Sequence, residues 1–106
     1  MNPADASCLL EHGADGSVLA LAGSWRLSRL AELDAALRAL PAAAGGWRRP
    51  VVIDGSRLGE IDTAAALLLW RHLAQVGVPA QEIGLRSFGG AQTRIVELVR
   101  QRLPEL

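Results

Sequence analysis

Apolar residues along this chain fall into short alternating runs and longer helical stripes, separated by Gly-, Pro- and Asp-rich breaks. Residues 7–12, Ser-Cys-Leu-Leu-Glu-His, have strand character, and the following Gly13-Ala14-Asp15-Gly16 contains Asp15-Gly16, a common hairpin dipeptide. Residues 17–23, Ser-Val-Leu-Ala-Leu-Ala-Gly, form a second predicted strand ending at Gly23, paired antiparallel with the first. Leu27, Leu30, Leu33, Leu37 and Leu40 then recur at spacings of 3, 3, 4 and 3, which places them on one stripe of a helix. Ser28 is the candidate N-cap, and Pro41 with the Ala- and Gly-rich segment after it stops the helix.

The second half repeats a strand–helix rhythm. Residues 41–50 read as a flexible connection carrying Trp47, Arg48 and Arg49. Pro50 to Asp54 is a β-branched run suited to a central strand, and 54–60 reads as a polar loop. A helix is expected from about Asp62 to Val76, apolar around much of its circumference and stopped by Gly77. Residues 82–88 form another predicted strand, with Ile83 and Leu85 on one face. Gly89-Gly90 leads into a third helix with Ile95, Leu98, Val99 and Leu103 on its stripe, closed by Pro104. The order β-β-α-β-α-β-α predicts an α/β fold: a mixed four-stranded sheet with three helices, reached by a hairpin and right-handed crossovers. The 106 residues suffice for a single domain, 1–106, with 1–6 expected to fray.

Composition narrows the function classes. Eleven cations, all Arg, balance eleven anions, so no basic face for nucleic acid is expected. Cys8 is the only cysteine, which rules out an intramolecular disulfide and disfavours a Cys-based metal site. The longest apolar run, Ala64–Trp70, has seven residues against the roughly 20 needed to span a bilayer. With three Trp and one Phe as the only aromatics, the core must be built largely from Leu, Val, Ile and Ala.

The chemistry-bearing residues are few. Ser87-Phe88-Gly89-Gly90 could cradle an anion at a helix start, but neither a dinucleotide nor a phosphate-loop fingerprint is complete. His12 and His72 lie on different elements, and no nucleophile, base and orienting acid form a set; neither an enzyme nor a cofactor is expected. The conspicuous feature is Asp62-Thr63 at the start of the apolar helix. Asp62 suits an N-cap by residue type and by charge at the positive helix end. Thr63 is an indifferent helix former, so helix propensity does not account for it. Positions 63, 66, 67, 70 and 74 share a helical face that either packs on the sheet or meets a partner.

Two segments, LALAGSWRLSRLAELDAAL (19–37) and VVIDGSRLGEIDTAAALLLWRHL (51–73), resemble the diagnostic segments of STAS domains, a likeness extending over roughly residues 9–103. That family includes anti-sigma-factor antagonists, cytoplasmic tails of sulfate transporters and small components of lipid-transport ABC systems. In the antagonists the junction usually reads Asp-Ser-Ser-Gly and a hydroxyl is phosphorylated; here it reads Asp62-Thr63-Ala64-Ala65. Gly23-Ser24-Trp25 and the 67–73 segment LLLWRHL are instead similar to the Mla-type subgroup, found as a free subunit beside an ABC ATPase or fused ahead of a permease. Ala65, where Gly is common in the family, departs from the pattern, so a role needing close backbone approach there is not implied.

The resemblance implies a non-catalytic regulatory module of an ABC-type phospholipid transport system, docking on the cytoplasmic ATPase. It places the domain in the cytoplasm at the inner face of the inner membrane, with a permease as a further partner, fused after Leu106 if the chain is an excised domain. It puts Thr63 at the partner surface; Ala66, Leu67 and Trp70 on the same helical face add an apolar patch beside it, and Arg57 and Glu60 in the 54–60 loop add a polar rim. The alternative is an anti-sigma-factor antagonist switched by phosphorylation at Thr63. A phosphate carries about −1.5 to −2 charge, and Glu60 and Asp62 would repel it, which favours an unmodified Thr63 as the contact.

Overall fold

The computed structural model describes residues 5–105 and places four strands and three α-helices in the expected order. Strands β1 (Ser7–Gly13) and β2 (Gly16–Trp25) form an antiparallel hairpin from Ser7↔Ala22 to Gly13↔Gly16. The turn residues are Ala14 and Asp15, and Gly16, with φ +120°, already belongs to β2. The hairpin therefore closes one residue earlier than Asp15-Gly16 suggested.

The remaining pairings are parallel. β3 (Val51–Ile61) lies beside β2 and β4 (Ile83–Arg86) beside β3, so spatial order follows chain order. Helix α1 (Leu30–Arg38) connects β2 to β3, and α2 (Thr63–Val76) connects β3 to β4. Both crossovers step in the same direction across the sheet, so the right-handed rule puts both helices on one face. Helix α3 (Gly90–Arg102) packs beside α2 on that side. The opposite sheet face carries no helical layer among the described residues, and its Val18, Ala20, Ala22 and Val52 are only half-buried.

The covered face supplies the core. Leu19, Leu21, Trp25, Val51 and Ile53 of the sheet meet Leu33 and Leu37 of α1, Leu69 and Leu73 of α2, and Val96 and Val99 of α3. All three tryptophans are buried, and each indole N–H donates to a backbone carbonyl at 3.1 Å: Trp25 to Ala22, Trp47 to Pro41 and Trp70 to Val96. Trp47 is thus a core residue of the 41–50 connection, not part of a flexible one. Arg100 reinforces the same region. It lies 5.0 Å over the Trp70 ring, donates to the carbonyls of Ala80 and Ile83, and pairs with Glu97.

β2 and β3 run further than their sequences suggest. From Ala20↔Asp54 to Trp25↔Ile61, β2 advances five residues while β3 advances seven. β3 therefore holds two extra residues, each marked by a register shift, as in β-bulges. The bulges change the phase of burial, so the inward residues are Val51, Ile53, Gly55, Leu58 and Ile61. Strict alternation fails, and the 54–60 stretch resembles a loop in sequence although it is strand.

Two smaller expectations also change. Ser28 does not cap α1; neither start of the 27–38 helical segment receives a side-chain cap from its own N-cap residue. Leu98, placed on the inward stripe of α3, is 50% exposed, and Val96 takes the buried place. The expected fraying of residues 1–6 lies outside the described residues for 1–4, while Ala6 packs against the core. No helix among the described residues is long and apolar enough to cross a membrane.

Candidate interaction surface at the start of α2

The ends of β2 and β3 deliver two helical segments to the same edge of the molecule. The Asp62 N–H donates to the Trp25 carbonyl at 2.9 Å, which extends the β2–β3 pairing by one hydrogen bond. Beyond it, Asp62 stands at the N-cap in an extended conformation, φ −108° and ψ 177°. One carboxylate oxygen, Oδ1, accepts from the Ala65 N–H at 2.9 Å. The other, Oδ2, accepts from the Leu27 N–H at 2.8 Å. The first bond satisfies an orphan donor of α2, and the second satisfies the first donor of the 27–38 segment. The role expected of Ser28 thus falls to Asp62, 35 positions along the chain from the Leu27 whose N–H it accepts.

This bridge ties the Leu27 backbone to the residue that precedes Thr63. Leu27 is 64% exposed, more than the other exposed large hydrophobics, Leu9 and Leu98. Thr63 is exposed, and its hydroxyl has no hydrogen-bond partner among the described residues. Leu67, one turn further along α2, is half-buried and packs partly on the core. Glu60 is exposed and held by Arg26, with Arg26 Nε and Glu60 Oε1 2.9 Å apart. Gln92 secures the bulge from the side, donating to the Leu58 and Gly59 carbonyls at 3.1 and 3.2 Å and accepting from the Gly89 N–H. A free hydroxyl and an apolar side chain therefore sit on a scaffold whose nearby charges are satisfied.

Two predicted contact residues do not reach this surface. Ala66 and Trp70 are fully buried. The 3.6-residue period puts them near Thr63 on a helical wheel, but α3 packs across that side of α2 and encloses the Trp70 indole. Arg57 is exposed but lines a concavity on the helix-free sheet face with Asp54, Ser56 and Arg86. Thr63 and Glu60 are exposed and Leu67 half-buried, Arg57 is directed elsewhere, and Ala66 and Trp70 belong to the core. Leu27 and Arg26 join the patch, and sequence periodicity could not identify them, because Leu27 reads as the first residue of a core stripe.

The titratable groups are scattered. Around Asp54, burial raises the carboxyl pKa, but hydrogen bonds from Ser56 and the charge of Arg86 outweigh it, so it lies below the ordinary value. Burial pushes the Cys8 thiol up to about 11, leaving it protonated and unreactive at neutral pH. Burial also lowers His72, whose buried Nε2 has no partner among the described residues. His12 accepts or donates one bond, to Ser17 Oγ at 2.7 Å. The described residues include no cluster of three or more His, Cys, Asp or Glu able to hold a metal.

Comparison with known proteins adds a family. The family model described as "Mlab, STAS domain" matches residues 8–101, which cover the four strands except Ser7 and α3 except Arg102. No curated protein matches the chain.

Proposed function

From the premise that this chain belongs to the STAS-domain family, whose members are protein-interaction modules, we propose that it is a regulatory subunit or domain of an ABC-type phospholipid transporter. It docks on the cytoplasmic ATPase through the start of α2, at the inner face of the inner membrane, beside or fused to the permease. ATP hydrolysis and lipid movement belong to the partners. The observation that carries this reading is the exposed Leu27, tied by its N–H to Asp62, at the start of the helix where the Thr63 hydroxyl is unengaged. Small apolar and hydroxyl side chains on a satisfied scaffold suit a protein contact better than a charged ligand.

The test is direct binding of the cognate ATPase, by calorimetry or pull-down, to the native chain and to a Leu27→Glu, Thr63→Glu double variant. Loss of binding with unchanged thermal unfolding supports the surface. Undiminished binding removes it.

A second reading, an anti-sigma-factor antagonist, draws on the same exposed hydroxyl, which a kinase could reach. Asp62 beside it and Glu60 three positions away weigh against a phosphate there, and Arg26 is already engaged by Glu60. Intact mass after incubation with an anti-sigma-factor kinase separates the two; an added phosphate on Thr63 would favour the antagonist.

A further inference from the structure

The helix-free face of the sheet has its own pattern. It holds a concavity of ≈ 320 Å³ whose floor includes Ala20 and Ala22 and whose wall includes Leu9. Leu9 is 58% exposed. Two charges stand at its opposite corners, Glu11 on β1 and Arg57 on β3. Neither has an ion-pair partner among the described residues, whereas nearby Arg86 is paired with Asp54 at 3.6 Å.

Register locates the corners. Glu11 pairs with Val18, and Arg57 pairs with Ala22, so Ala20 lies midway between them on the central strand. With strands about 4.8 Å apart and about 3.3 Å per residue, the two charges are roughly 16 Å apart across the face. A two-fold axis lying over Ala20 in the plane of contact, perpendicular to that diagonal, brings each Glu11 opposite the Arg57 of a second copy. The same operation lays each Leu9 over the small-residue floor of the other sheet.

We propose that this face associates with a second copy of the same chain, as an isologous sheet-on-sheet dimer with reciprocal Glu11–Arg57 pairs. A single occupant then satisfies both unpaired charges and covers the exposed Leu9. A small anion would engage Arg57 alone and leave Glu11 facing apolar surface. The face measures about 15 by 20 Å, roughly 300 Å² of footprint per copy. Standard interfaces bury about 800 Å² per partner, so the dimer is weak and concentration-dependent.

Sedimentation or light scattering of the 106-residue chain from about 10 µM to about 1 mM reads this directly. The native chain shows a concentration-dependent dimer that weakens as salt rises. Glu11→Arg alone and Arg57→Glu alone each create two like-charge contacts and raise the dimer Kd about tenfold or more. An equimolar mixture of the two variants regains a dimer, because every contact in the mixed species is again complementary. Recovery on mixing also shows that both variants fold. A native chain that stays monomeric at about 1 mM overturns the proposal and leaves the face to another occupant. A dimer insensitive to Arg57→Glu also overturns it, pointing instead to edge pairing through β1.

Discussion

The first turn of α2, Thr-Ala-Ala-Ala, and the Leu- and Trp-rich body of the same helix differ in what their outward sides meet. At the start, Thr63 is exposed, Leu67 half-buried, and Asp62 joins two segments through backbone bonds. From Leu69 to Val76 the inward residues are fully or almost fully enclosed, and Trp70 is clasped by Val96 and Arg100. The difference arises from what packs alongside. α1 and α3 flank the helix, while Asp62 ties the 27–38 segment to its amino end and leaves the Thr63 side open. An apolar helix can thus be structural along its length and available at one end.

The largest effect that would sharpen this contrast is at Trp70. Trp70→Ala removes a fully buried ring, its hydrogen bond to Val96 and the Arg100 stacking, and should cost about 3–5 kcal/mol in denaturant unfolding. That is a large part of the ~5–15 kcal/mol available to a typical domain. A loss below about 1 kcal/mol would mean that Trp70 is not enclosed and that the helix body resembles its start.

Asp62→Ala comes next. It removes acceptors from both Ala65 and Leu27 and should cost about 1–2 kcal/mol, with Asp62→Asn recovering part of it. Amide exchange would rise at Leu27 as well as at Ala65, which a cap serving α2 alone would not produce.

His72, on the body of α2, gives a smaller, pH-dependent effect. Its folded pKa lies below the ordinary 6.5, mainly through burial, with Arg38 adding and Asp34 and the Leu37 backbone opposing. The unfolded chain therefore takes up the proton first as pH falls. The stabilising contribution is complete above about pH 6.5 and declines below it. Comparing unfolding at about pH 7.5 and about pH 5.5, His72→Leu should flatten the acid-side loss. An unchanged slope would assign that loss to other groups.

The smallest stability effect belongs to Thr63→Glu, within about 0.5 kcal/mol because the side chain is exposed. Its effect should appear in partner binding instead. A large stability loss there would erase the distinction between the two regions.

Element order and strand character were legible because each depends on local periodicity; the single helical face followed only from the strand order together with the crossover rule. The 56–61 extension of β3 was not legible. Two bulges change its inward phase, and that register exists only when β2 lies beside it. Asp62 could be read as a cap because the chemistry of an N-cap is local. Its second bond to Leu27 could not, because it spans 35 positions.

The sequence by itself determined the β-β-α-β-α-β-α order and the helix start at Asp62-Thr63, since hydrogen-bond periodicity and capping act over a few residues. Which side of α2 meets solvent was a tertiary decision. Ala66 and Trp70 share a helical face with Thr63, yet α3 covers them and leaves Thr63 open. Leu27 likewise continues a core stripe in sequence and lies at the surface in the fold, because burial depends on neighbours that no local pattern specifies.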